Sequence, residues 1–170
     1  MKIICGWHVA NSVLAKSFDE ENYITFLKLN YLVYLICSEY LYLDGENLFN
    51  ELFEKTENGP ILPSIYFKFN CFDNSKITDF AKNNFGRAIG INSNLFDECL
   101  SHIWERYKNQ DEDAILSYIE NGNNYSQKEN EEILTEIDML LDEIDRKEKD
   151  LLNAKSYIKK LTLTRNITNK

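Results

Sequence analysis

Apolar side chains at Ile3, Trp7, Ala10 and Leu14 recur at spacings of four, three and four, the period of one helix face, and predict an amphipathic helix over residues 3–16. A polar break, SFDEENY, follows. Thr25 is then placed to cap a second helix from Phe26 to about Tyr42, whose Leu27, Leu29, Leu32, Val33, Leu35, Ile36 and Leu41 spread around nearly the whole circumference. That distribution predicts a central, buried helix. Asp44 and Gly45 end it, and residues 48–56 read as a short strand or hairpin arm, the one β element expected. Both prolines of the chain, Pro60 and Pro63, come directly after Gly59 and dictate a corner. Pro63 suits the first turn of a helix PSIYFKF, and further short helices are predicted over 77–83, from Ser93 as cap through Leu95, Cys99, Ile103 and Trp104, and over 111–119.

The character of the chain changes at ENGNNYSQ, residues 120–127. Beyond it, Ile133, Ile137, Leu140, Ile144, Lys147, Leu151, Ala154, Ile158 and Leu161 alternate spacings of four and three without a slip, a heptad seam that only Lys147 interrupts. The expected organisation is a globular domain over 1–120, a linker over 121–127 and a long amphipathic helix over 128–164. The fold class is mainly α with a small β element: a compact helical domain followed by a long C-terminal helix of coiled-coil type.

Composition narrows the function. With 170 residues, 44% hydrophobic and 13% aromatic, the chain can bury a real core. No apolar run reaches the roughly 18 residues of a membrane span, and the start, MKIICGWHVANS, makes a poor secretory signal, so a cytoplasmic protein is expected. Cys5, Cys37, Cys71 and Cys99 sit in apolar contexts with no C-x-x-C pair, which favours core thiols over disulfides. A net charge of -9 argues against direct nucleic-acid binding and accommodates a basic protein partner.

A search for reactive groups yields little. Cys5 and His8 are three apart and could share a metal or form a thiolate pair, but no second pair of ligands accompanies them, and a core thiol beside a surface or hydrogen-bonded histidine is the plainer reading. Cys99 and His102 repeat the spacing, and packing is again preferred. NGP, FGRAIG and NGN lack the glycine spacing and Lys-Ser/Thr of a phosphate loop. No catalytic residue, metal or cofactor is expected.

Two stretches carry a resemblance. TFLKLNYLVYL, residues 25–35, and DGENLFNELFEKTENGPILPSIY, residues 44–66, resemble the Panacea domain, with Thr25, Leu27, Lys28, Leu29, Leu32, Tyr34, Gly45, Leu48, Phe49, Gly59, Pro60, Pro63 and Tyr66 at matching positions. Residues 3–69 are covered well and the rest loosely. This chain has Thr56 and Asn58 where the family usually carries a Trp and a Tyr just before the Gly-Pro pair, and the family's closing Thr-His and Trp motif is not visible around 114–122, marking a divergent member. The resemblance implies a non-enzymatic antitoxin that neutralises a toxin by binding it, with Thr25, Lys28, Leu29, Tyr34, Gly59, Pro60, Pro63 and Tyr66 as scaffold or contact positions. The competing reading is a phage-encoded inhibitor of a host defence nuclease whose acidic surface imitates nucleic acid.

The C-terminal helix implies a partner of its own. A seam of Ile133, Ile137, Leu140, Ile144, Leu151, Ile158 and Leu161 asks to be covered, either by a second copy or by folding back onto the body. Its first half is acidic and its second half basic, so a homodimer is expected to be antiparallel.

Overall fold

The computed structural model describes residues 4–168, with side chains as far as Thr162; Ile3 lies outside it. The helices are α1 (Gly6–Asp19), α2 (Phe26–Asp44), α3 (Pro63–Phe69), α4 (Asn94–Tyr107), α5 (Glu112–Glu120), α6 (Asn123–Gln127) and α7 (Glu136–Thr168). The strands are β1 (Phe53–Thr56), β2 (Gly59–Ile61) and β3 (Ile133–Leu134), and a 3-10 turn, Asn70–Phe72, follows α3. The architecture is mainly helical with a small antiparallel sheet and a long C-terminal helix.

α2 forms the centre because it is apolar on every side, and α1, α4, α5, α7 and β2 pack around it. Leu29, Leu32, Val33, Leu35 and Ile36 are each at most 1% exposed. Thr25 is its N-cap, accepting the Lys28 N–H at 3.3 Å, and Gly45 closes it in the left-handed region at φ 80°. α1 begins and ends three residues later than its pattern suggests and buries Val9, Ala10, Val13 and Leu14. Ser93 stands at the N-cap of α4 without a hydroxyl bond to it, and the Asp111 carboxylate caps α5.

Three expectations within residues 1–120 are corrected first. Residues 77–83 form no helix; Asn11, 3% exposed, bonds the carbonyls of Ala81 and Ile89 and the N–H of Ala81, each at 2.9 Å, while Ile77 N–H bonds Ile24 O. The backbone there is satisfied by other elements, so it need not coil on itself. The sheet is not confined to the corner, since β3 adds to β1 in the order β2-β1-β3. Lys55 draws it in, its ammonium donating to the Tyr125 and Lys128 carbonyls at 3.0 and 2.6 Å. Cys71, finally, is exposed, whereas Cys37 and Cys99 are buried thiols.

Residues 121–127, expected as a linker, carry α6 and bury Tyr125 to 1% exposure in the same core as α2. The reason is Asp142 of α7, fully buried, which accepts the N–H groups of Asn124 and Tyr125 at 2.8 and 2.9 Å. Among the described residues no helix is long and apolar enough to cross a membrane.

Candidate functional site

The corner is a tight hairpin. Thr56 pairs with Gly59 across it, its hydroxyl donating to Gly59 O and accepting Asn58 N–H. Gly59 adopts φ 98°, and a β-carbon there would lie 2.6 Å from Tyr31 Cε1 and 2.8 Å from Leu116 Cδ1. Only glycine meets both conditions. Pro60 lies on the edge strand β2, which tolerates a missing N–H, and Pro63 opens α3 at N1. Asn30, wholly buried in α2, accepts the intervening Leu62 N–H at 3.0 Å. Glu51 ties the start of α1 to that of α3, its two oxygens accepting Gly6 N–H and Ser64 N–H at 2.9 and 3.2 Å.

This framework leaves a groove of about 440 Å³ beside the corner. Leu27, Ile61, Pro63, Tyr66 and Phe67 form its apolar walls, and Glu54 and Glu57 add carboxylates. Tyr66 is 47% exposed and Phe67 79%, held edge to face 6.0 Å apart, with Phe26 behind Tyr66. Ile65 and Phe69, four apart, anchor α3 in the core, so the two aromatics between them must point outward. Phe67 was not singled out from the sequence; that Ile65/Phe69 spacing was the available signal. The groove's chemistry suits an apolar side chain flanked by a cation.

The remaining motif residues are structural. Thr25 donates its hydroxyl to the Glu112 carboxylate, joining α2 to α5. Lys28, 7% exposed, donates to the carbonyls of Lys108 and Gln110 at 2.9 and 2.6 Å beyond the end of α4, and burial holds its ammonium pKa below the ordinary value. Leu29 is core. Tyr34 is fully buried, T-stacked on Phe53 at 5.2 Å. Of the eight motif positions, Pro63 and Tyr66 alone are exposed.

The seam is divided by the structure. Ile133 belongs to β3, not to the helix, and Leu140 packs against the core, while its neighbour Leu141 is 44% exposed. Ile137, Leu151, Ile158 and Leu161 are exposed and Ile144 is half-buried. The stripe folds back in part: Leu140 packs against the core and Ile144 is half-buried, but most of what α7 buries against the body lies on its charged face. Arg146 donates from Nε to Glu143 Oε2 at 2.9 Å, and its Nη2 makes an ion-pair contact with the same oxygen at 2.9 Å. Lys147, which interrupts the seam, reaches buried Glu39 at 2.6 Å, and Asp150 pairs with Arg106 at 2.8 Å. The Tyr118 ring takes both guanidiniums, Arg106 at 5.1 Å and Arg146 at 5.8 Å.

The cysteine and histidine pairs are placed as follows. His8 Nδ1 accepts the backbone N–H of Cys5, and burial, then the Glu51 charge, pushes the Cys5 thiol pKa up, away from a thiolate. His102, expected to pack, is exposed and bonds both Glu39 oxygens at 2.8 and 2.9 Å. Among the described residues no group of three or more His, Cys, Asp or Glu is arranged to hold a metal. No family model, curated protein or solved structure shows a significant match to this chain.

Proposed function

We propose that this chain is a non-enzymatic, protein-binding inhibitor of the antitoxin kind, which neutralises a toxin by seating one of its segments in the groove at the Gly-Pro corner. The observation that carries the reading is the exposed pair Tyr66 and Phe67, which belongs to the same short helix as the Panacea-like motif and lines an apolar groove with Glu54 and Glu57. Aromatic side chains held rigid at a surface are favoured anchors of protein interfaces, and the carboxylates favour a basic segment. Such a protein acts stoichiometrically, so protection of its target saturates near one inhibitor per target.

The test is capture of the partner by the tagged full chain from its native host, followed by affinity measurement with the identified protein. Phe67→Ser is expected to weaken binding by about tenfold or more, as loss of an interface anchor does, with an unchanged melting temperature because the side chain is exposed. Unchanged affinity would remove the groove from the interface, and turnover of the target at sub-stoichiometric inhibitor would remove the non-enzymatic reading.

A second reading, an inhibitor that imitates nucleic acid against a host defence nuclease, draws on the net charge of -9 and on exposed Glu129, Glu131, Glu132 and Glu136 around β3. Competition with DNA for a captured nuclease distinguishes it, since a toxin bound through the groove is indifferent to added DNA.

A further inference from the structure

α7 turns its charged face to the body and its apolar face to solvent. At about 100° per residue, buried Met139, Asp142, Glu143 and Arg146 share one arc of the helix, and Ile137, Leu141, Ile144, Leu151 and Leu152 lie on the opposite side. Ile137 is 68% exposed, Leu152 64% and Ile158 61%. The helix also outruns its support. Every side chain from Leu151 to Thr162 is exposed, and a helix of about 12–15 residues that buries none of its side chains is marginal in water. A continuous apolar row on such an arm is what paired helices bury between them.

We propose that a second copy of this chain covers the row, its α7 lying antiparallel to the first. Charge selects both occupant and direction. Glu136, Asp138, Asp145 and Glu148 occupy the first part of the helix, and Lys149, Lys155, Lys159 and Lys160 the second. A parallel pair sets acid beside acid. An antiparallel pair with its midpoint at Lys149, halfway between Ile137 and Leu161, lays residues 136–145 of one copy along 153–162 of the other. The same charge order complements the helix dipole, but that effect is confined to the terminal turns, and Lys149 and Lys155 stand inside the helix. Each body hangs from the face of α7 opposite Ile137 and Leu141, so the two bodies fall on opposite outer sides of the pair.

Sedimentation of the full chain is expected to give the mass of two copies, and Leu151→Glu with Ile158→Glu is expected to reduce it to one while the near-ultraviolet signal of buried Trp104 is kept. A full-length protein that is monomeric at every concentration overturns the proposal and leaves the row to a different protein. A dimer that survives the double substitution overturns it equally. Direction is read from spin labels at Thr162→Cys on a Cys5→Ser/Cys71→Ser background. The 1.5 Å rise per residue puts the two labels roughly 40 Å apart in the antiparallel pair. In a parallel pair they sit roughly 10 Å apart, the interaxial spacing, and that distance would overturn the antiparallel arrangement.

Discussion

Replacing Gly59 with valine is expected to lower the melting temperature by about 10 °C, the larger of two effects that the fold makes measurable. Two costs combine there. A β-branched residue held at φ 98° carries about 1–3 kcal/mol of backbone strain. Its β-carbon, 2.6 Å from the Tyr31 ring and 2.8 Å from Leu116, adds about 1–3 kcal/mol of overpacking. Tyr31 cannot yield freely, because its hydroxyl donates to Asn58 O within the same turn. Gly45→Ala separates the terms: φ is 80° but nothing lies within 4 Å, so only the strain of about 1 kcal/mol is expected. Thermal unfolding followed by circular dichroism compares the two, and an unchanged transition for Gly59→Val would contradict the close approach at the corner.

Arg146→Met is expected to destabilise the protein by about 3 kcal/mol, at the low end for breaking a buried ion pair. Arg146 and Glu143 are each 5% exposed, and without the guanidinium Glu143 keeps only Lys147, at 3.4 Å. Adding Glu143→Leu should recover most of the loss, since the apolar pair leaves no buried charge to desolvate. Urea unfolding of both single variants and the double variant measures the coupling. Additive losses would mean that the two side chains do not act as a pair in docking α7.

Much of the helical body was legible in local signals. Thr25, Gly45, Pro63 and Asp111 stand at helix ends as their backbone chemistry requires, and the all-round apolar pattern of α2 marked the element that the others cover. The corner was legible because glycine and proline act through φ, a property of single residues. The groove was half legible: Tyr66 came with the motif, but Phe67 became a candidate only once Ile65 and Phe69 were seen to turn inward.

By itself, then, the sequence determined the elements whose cause is local: where α2, α3, α4 and α5 begin, where the chain must bend, and that one long C-terminal helix carries an apolar stripe. Tertiary structure alone decided which polar groups satisfy one another across the chain. Asn11 holds residues 81 and 89 in place of a helix, and Lys55 brings in β3 from nearly eighty residues away. Asp142, Glu143 and Arg146 dock α7 by the face that periodicity assigns to solvent. The physical reason is that burying apolar surface is non-directional and shows as periodicity, whereas a charged side chain is buried only where a partner of the right geometry meets it, and that partner lies far along the chain.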